Sequence, residues 1–164
     1  MNIYGVVGWK NAGKTTLMER LVAEITGRGL CVSTIKHAHH AFDVDQPGKD
    51  SFRHRAAGAT EVLISSGARW ALLHELRDTD EPPLEAHLAQ LAPVDLVLIE
   101  GYKRDRHPKV EVYRAATGAS LIGADDDTVR AIATNDPVEA AQPTLPLDDP
   151  AAIADFILGE LGLG

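Results

Sequence analysis

Residues 3–16 read IYGVVGWKNAGKTT, and this stretch decides the fold. An apolar run typical of a buried strand leads directly into G-x-x-x-x-G-K-[ST], the spacing of a phosphate-binding P-loop. After the motif, apolar residues recur at helical spacing until Gly27 and Gly29, which favour the end of a helix. A strand before the loop and a helix after it are the context that this motif requires. The sequence therefore predicts a site for a nucleoside triphosphate or diphosphate.

Each residue type within the motif has a separate task. Gly8 and Gly13 permit backbone turns that a Cβ atom would obstruct, and the amides between them form a concave anion site. We expect the Lys14 ammonium over the β and γ phosphates and the Thr15 hydroxyl on Mg²⁺. The positive end of the following helix faces the same phosphates. The predicted nucleotide-binding residues are Gly8, Asn11, Ala12, Gly13, Lys14, Thr15 and Thr16.

Composition limits the class of protein. At 164 residues, 45% of them apolar, the chain is expected to form one domain spanning residues 1–164. Its net charge of −8 argues against general nucleic-acid binding and against adsorption on anionic membranes. No apolar run approaches the length that spans a membrane. The single cysteine, Cys31, lies in an apolar run, where we expect a small core residue, and its isolation fits a reducing cytoplasm.

Alternating strand and helix patterns predict a three-layer α/β fold of the P-loop type, mostly parallel, with an antiparallel edge or hairpin. The hairpin is expected to join residues 60–65 and 69–73 across the turn Ser66-Gly67-Ala68. The other predicted strands are 2–7, 30–35, 94–99, 109–113 and 130–134. The predicted helices are 14–27, 50–57, one that starts at Pro82-Pro83 and one that opens at Asp148-Asp149-Pro150.

Glu100 ends the apolar strand 94–99. Ligands of open α/β sheets gather outside the carboxyl ends of the strands, so this carboxylate is expected close to the P-loop. It can hold Mg²⁺ directly or through water, or orient a nucleophilic water, which makes Glu100 the candidate catalytic residue. An ordinary carboxylate at a strand end is the other interpretation. Asp95 begins the same strand and should lie at the opposite edge.

A histidine-rich loop, residues 36–45, follows the second strand and reaches the same edge. His37, His39 and His40 suggest a transition metal, although no fourth ligand at a recognisable spacing supports a closed zinc site. The same side chains can donate to phosphates or to a pterin ring, or belong to a plain surface loop, and these alternatives stay open. Asp45 in this loop is a further candidate for the Mg²⁺ site.

Two basic clusters, residues 48–55 and 102–109, stand out against the acidic background. Arginine suits phosphate because its planar fork donates two hydrogen bonds at once, so the clusters suggest a second anion. A solvated charged surface is the other interpretation. The candidate contacts to a second anion or a partner are Lys36, His37, His39, His40, Lys49, Arg53, Lys103 and Arg104.

Asn135 and Asp136 follow the last predicted strand. In GTP-binding proteins an Asn/Asp pair on such a loop reads the edge of guanine, but the spacing here is not N-K-x-D. Asn-Asp-Pro is also a strong turn former. Guanine contact and a simple turn are both compatible with the sequence.

The chain resembles the molybdopterin-guanine dinucleotide biosynthesis protein B family in six segments: 8–16, 34–40, 43–45, 47–51, 57–59 and 98–103. The P-loop alone is shared by countless proteins. The histidine-rich loop followed by PGKDS and then by IEGYK is much more specific. The matching segments are spread over residues 1–110, whereas the remainder resembles the family only loosely.

The resemblance implies a homodimeric GTP-binding protein with a P-loop fold and, at most, a weak Mg²⁺-dependent GTPase activity. It implies an accessory role in attaching GMP to molybdopterin, with molybdopterin or its GMP adduct and a separate guanylyltransferase, protein A of the pathway, as partners. A small-molecule kinase is a second possibility, with a lid arginine from Arg53, Arg55, Arg104 or Arg106. A metal-delivery GTPase, suggested by the histidine-rich loop, is a third.

Overall fold

Six strands form a parallel sheet around the strand that precedes the P-loop. In chain order they are β1 (Asn2–Val7), β2 (Val32–Lys36), β5 (Leu96–Glu100), β6 (Lys109–Val112), β7 (Val129–Ala133) and β8 (Thr144–Leu145). Their spatial order is β2-β5-β1-β6-β7-β8, and every pairing is parallel. The structure is a computed structural model, and it describes residues 1–38 and 42–164. His39 and His40 lie outside the described residues.

The chain divides into two compact units, Met1–His37 with Leu84–Gly164, and Ala38–Pro83. The first unit holds the parallel sheet. The second holds helix α2 (Asp50–Ala56) and the antiparallel pair β3 (Glu61–Ser65) and β4 (Trp70–His74). The predicted hairpin is confirmed, but it forms a two-stranded sheet of its own rather than an edge of the parallel sheet. The single domain over residues 1–164 stays a prediction.

Helices cover both faces of the parallel sheet, which confirms the predicted three layers. Alternate residues of a strand point to opposite faces. Leu96 and Leu98 of β5 therefore pack in the cluster formed with α1 (Lys14–Gly27) and α4 (Pro150–Leu161). The alternate residues of β5, Val97 and Ile99, pack on the other face of the sheet with Leu84 of the short helix α3 (Leu84–Leu88).

Cys31 is exposed, so the prediction that it is a core residue is wrong. It precedes β2, one of the two edge strands of the sheet, and no strand of the described residues pairs with the outer flank of β2. Its backbone N–H donates to the Asp95 carboxylate at 2.7 Å. Asp95 thus lies at the amino end of the strands, opposite Glu100, as the sequence predicted.

Strand β6 reads Lys-Val-Glu-Val, and all four of its residues are buried. The Lys109 ammonium donates to the carbonyl oxygens of Lys103 and Asp105, at 3.1 and 2.6 Å, and to the Asp126 carboxylate at 3.1 Å. Since the Lys109 side chain has no exposed surface, it is unavailable to an anion in solution, contrary to its place in the predicted basic cluster.

Glu111, two residues further along β6, is also fully buried. Its two carboxylate oxygens accept from the backbone N–H groups of Ile122 and Gly123, each at 2.9 Å. Burial raises the pKa of Glu111, and these amides oppose that rise. The carboxylate fixes the 3₁₀ turn Ile122–Ala124 that packs beside β7.

His107 is buried next to β1, and neither ring nitrogen has a hydrogen-bond partner among the described residues. Burial lowers its pKa, and Lys109 lowers it further, against the opposing charges of Asp105 and Asp126. His107 therefore binds a proton near pH 6.5 in the unfolded chain, whereas in the folded protein it stays neutral down to a lower pH. We expect unfolding free energy to fall by up to about 1.4 kcal/mol per pH unit as pH drops below about 6.5. Urea unfolding at pH 8, 6.5 and 5.5 measures this loss.

The matched comparison is His107→Gln, in which the pH-dependent loss should shrink, against the exposed His54→Gln, in which it should persist. The raised pKa of Glu111 has the opposite sign, because its contribution is lost as pH rises through the folded value. The difference between wild type and variant cancels this effect. Equal pH profiles for wild type and His107→Gln would contradict the assignment.

Candidate functional site

The P-loop follows the carboxyl end of β1, and three of its residues have positive φ angles. Gly8 has φ 149°, and a Cβ atom there would lie 2.5 Å from the Val112 carbonyl oxygen. Asn11 and Gly13 also have positive φ, at 65° and 104°. Only glycine tolerates the first of these positions, since the obstacle is backbone. The backbone at Gly8 and Gly13 therefore has the angles that the motif predicted, while nucleotide binding by these residues stays a prediction.

Lys14 begins α1, and its ammonium donates to the Trp9 carbonyl oxygen at 2.8 Å. The side chain thus folds back over the loop. Burial lowers the pKa of Lys14, and the nearby cations Lys103 and Lys36 lower it further, whereas Glu100 raises it. An anion at this place would relieve the repulsion among the three ammonium groups.

Thr15 and Glu100 meet at the carboxyl edge of the sheet, as the sequence predicted. The Thr15 hydroxyl donates to Glu100 Oε1 at 3.1 Å. Lys36 joins them, with its ammonium 3.3 Å from the same carboxylate oxygen and 3.5 Å from the Thr15 hydroxyl. A hydroxyl and a carboxylate are the oxygen ligands that Mg²⁺ prefers, so this pair fits the ion.

Trp9 connects the P-loop to two neighbouring loops, a role that sequence reasoning missed. Its indole N–H donates to the Ser120 carbonyl oxygen at 2.8 Å. The Lys103 ammonium lies 4.2 Å from the centre of its ring, a cation–π contact. Lys103, predicted to contact a second anion, therefore lies beside the P-loop.

Arg114 is the second contact that the sequence did not reveal. Its Nε donates to the Ala12 carbonyl oxygen at 3.0 Å, and its guanidinium lies about 3.5 Å from where a Gly13 Cβ would be. No motif marks it. It follows β6, the neighbour of β1, so the rule that ligands gather at the carboxyl edge would have found it once the strand order was known.

Asn135 and Asp136 both hold backbone in place. The Asn135 amide oxygen accepts from Leu147 N–H at 2.9 Å, and its NH₂ group donates to Asp148 at 2.5 Å. Asp136 accepts from Ala115 N–H at 2.7 Å. These bonds match the turn interpretation, while guanine contact by this pair stays a prediction.

In the second unit, Arg55 organises the loop that contains Asp45. Its guanidinium pairs with Asp43 at 2.9 Å, with Asp45 at 3.3 Å and with Glu75 at 2.8 Å. Asp45 also accepts from the Ser51 hydroxyl at 2.8 Å. Arg55 and Asp45 thus bind side chains of their own unit. The Mg²⁺ role of Asp45 stays a prediction.

The remaining predicted contacts differ in exposure. Lys49, Arg53 and Arg104 are exposed. The His37 ring stacks on Tyr102, with the ring centres 4.6 Å apart, and its backbone N–H donates to the Glu100 carbonyl oxygen at 2.9 Å. Within residues 1–38 and 42–164, no group of three or more His, Cys, Asp or Glu side chains could hold a metal ion. In the same part of the chain, every helix is too short or too polar to cross a membrane.

Comparison with known proteins places the chain among relatives of one kind. The pattern of the MobB family, molybdopterin guanine dinucleotide synthesis protein B, matches residues 3–135. Molybdopterin-guanine dinucleotide biosynthesis adapter proteins are similar to it: that of Haemophilus influenzae is 39% identical over 94% of this chain and 86% of the relative. That of Escherichia coli K12 is 36% identical over 92% of this chain and 87% of the relative.

Solved structures of MobB proteins are also similar to this chain. The crystal structure of a MobB protein homologue from Bacillus stearothermophilus superposes with a TM-score of 0.73 at 30% identity, covering 100% of both chains. Bacillus subtilis MobB superposes with a TM-score of 0.74 at 28% identity, covering 98% of each chain.

Proposed function

Because the chain belongs to the molybdopterin guanine dinucleotide synthesis protein B family, we propose that it is a GTP-binding adapter for attaching GMP to molybdopterin. The relatives' names support a role in the biosynthesis of this dinucleotide. GTP, Mg²⁺ and a slow GTPase activity are the further elements of the proposal. We place the guanylyltransferase activity itself in a separate partner protein.

The observation that carries the proposal is the convergence of four phosphate-site elements at one sheet edge. The P-loop turn, the Lys14 ammonium, the Thr15 hydroxyl and the Glu100 carboxylate all lie at the carboxyl ends of β1 and β5. The loop amides and Lys14 would hold the β and γ phosphates. Thr15 and Glu100 would hold Mg²⁺, which neutralises phosphate charge when bound.

We expect hydrolysis to be slow because, in the part of the chain that the structure describes, no glutamine stands beside Glu100 to speed it. Glu100 is followed by Gly101, Tyr102 and Lys103, so no glutamine stands next to it to orient a water. Glu100 is 8% exposed and is a group at this edge that could act on a water. Arg114 already donates to the loop backbone, which suits holding the P-loop in shape better than acting on the γ phosphate.

The partners follow from the adapter role. We propose that molybdopterin or its GMP adduct meets exposed basic residues of one unit, either Arg104 in the first or Lys49 and Arg53 in the second. We further propose a homodimer that works in the cytoplasm with the guanylyltransferase. Exposed arginine and lysine side chains suit a phosphate-bearing pterin and an acidic partner alike.

Calorimetry of GTP against ATP, each with and without Mg²⁺, tests the nucleotide assignment. We expect GTP to bind at least about tenfold more tightly than ATP, which corresponds to one or two base-specific hydrogen bonds. GDP serves as the control for the γ phosphate. A protein that binds neither nucleotide, or that prefers ATP, would overturn the proposal.

A groove beside the site favours a small-molecule kinase as the second candidate. It has a volume of about 440 Å³ and adjoins Thr15 and Glu100, with Met18, Val22 and Ile35 as its apolar walls. A phosphate acceptor would fit there. Robust transfer of phosphate from ATP to any of a panel of small alcohols would favour this candidate over the adapter.

A further inference from the structure

The Lys36 ammonium lies where a cation bridging Thr15 and Glu100 would lie. It is 3.3 Å from Glu100 Oε1 and 3.5 Å from the Thr15 hydroxyl, and those two oxygens are themselves 3.1 Å apart. The Lys36 ammonium nitrogen, Glu100 Oε1 and the Thr15 hydroxyl oxygen thus lie at the corners of one small triangle. The two oxygens proposed to hold Mg²⁺ therefore already share a positive charge supplied by the chain.

The sheet puts Lys36 in this place. Strands β2 and β5 are parallel neighbours, and Lys36 is the register partner of Glu100. The His37 N–H donates to the Glu100 carbonyl oxygen at 2.9 Å, which extends the pairing one residue further. Side chains of register partners emerge on the same face, so the two charges are held side by side by backbone hydrogen bonds.

Lys36 and a divalent ion exclude each other at this site. The ion would take oxygen ligands at about 2.1 Å, so an ammonium bonded to the same oxygens would be within about 4 Å of it, where like charges repel. Lys36 can leave, since its side chain is 58% exposed while that of Glu100 is only 11% exposed. The lysine side chain is thus the one with room to move away, whereas the carboxylate is enclosed by its neighbours.

We propose that Lys36 is a built-in competitor of Mg²⁺: its ammonium neutralises the Thr15–Glu100 pair and the phosphates when metal is scarce, and metal binding displaces it. The inference rests on the proposed nucleotide site. It gives Lys36 a positioning role at the phosphate site, in place of the second-anion role expected from the sequence. The chain would then bind nucleotide without metal and respond to Mg²⁺ only at high concentration.

Binding of Mn²⁺ alone, followed by electron paramagnetic resonance without nucleotide, is the first test. Lys36→Met keeps the chain length and removes the ammonium, and we expect it to bind Mn²⁺ at least about tenfold more tightly than wild type. Arg69→Met removes one exposed charge in the second unit and should change the Mn²⁺ affinity by less than about twofold. The double variant Lys36→Met/Glu100→Gln should lose the gain.

The second readout is GTP affinity in EDTA and in a Mg²⁺ series. Lys36→Met should bind GTP several-fold more weakly than Arg69→Met in EDTA, and saturating Mg²⁺ should remove that difference. Equal Mn²⁺ constants for wild type and Lys36→Met, or no Mn²⁺ binding by either, would overturn the inference. Tighter Mn²⁺ binding by Lys36→Met with no GTP binding by any protein would uphold the competition between Lys36 and the divalent ion while overturning the proposed function.

Discussion

Lys14→Ala is expected to weaken GTP binding by at least about a hundredfold, as truncation of a close charge partner commonly does. Lys14 stands at the first position of α1 and donates to the Trp9 carbonyl oxygen, so it is poised over the loop rather than packed in the core. Its pKa is lowered by burial and by neighbouring cations, which a phosphate would compensate. Calorimetry with GTP measures the loss.

The fold should survive this change. Thermal unfolding followed by circular dichroism should shift only slightly, because no apolar contact of the core is removed. Lys10→Ala, which removes an exposed charge from the same loop, is the matched control and should change the affinity by only a few-fold. Unchanged GTP affinity in Lys14→Ala would remove the P-loop from the proposed site.

Asp126→Ala should destabilise the protein by about 3–5 kcal/mol, the usual cost of leaving a buried charge without its partner. The Lys109 side chain is fully buried, and Asp126 is the carboxylate that its ammonium contacts. Asp126 also accepts from the hydroxyl and the backbone N–H of Thr128, and these bonds would be lost as well. Urea denaturation gives the free energy of unfolding.

The double variant Lys109→Met/Asp126→Ala separates the two causes. It should be more stable than Asp126→Ala alone, because no buried ammonium remains. Asp127→Ala is the matched control: its partner Arg106 lies at 2.9 Å, but both side chains are more than 70% exposed, so the loss should stay below about 1 kcal/mol. If the double variant is no more stable than Asp126→Ala, the charge of Lys109 is not what Asp126 supports.

The sequence predicted the parts of this protein that depend on local backbone chemistry. The P-loop, α1 and the hairpin are each encoded within a few residues: glycines where φ must be positive, a helical apolar spacing, and a turn between two β-rich runs. Thr15 and Glu100 were also placed together correctly, because parallel strands end at one edge.

What the sequence could not predict depends on which strands are neighbours. The alternation Lys-Val-Glu-Val in β6 suggests one polar face open to water, yet both faces are covered, so Lys109 and Glu111 are buried. Arg114 contacts the P-loop only because β6 pairs with β1. The two residues of β8 carry no periodicity from which a strand could be inferred.

The two tryptophans of the chain fall one in each unit. Trp9 in the P-loop donates its indole N–H to the Ser120 carbonyl oxygen and lies under the Lys103 ammonium, whereas Trp70 in the hairpin is 66% exposed. Indole emission responds to nearby charge and to hydration. Replacing Trp70 by phenylalanine would leave a natural optical probe at the P-loop, and replacing Trp9 would leave one on the hairpin. Events in either part of the molecule can then be timed separately, without attaching a dye.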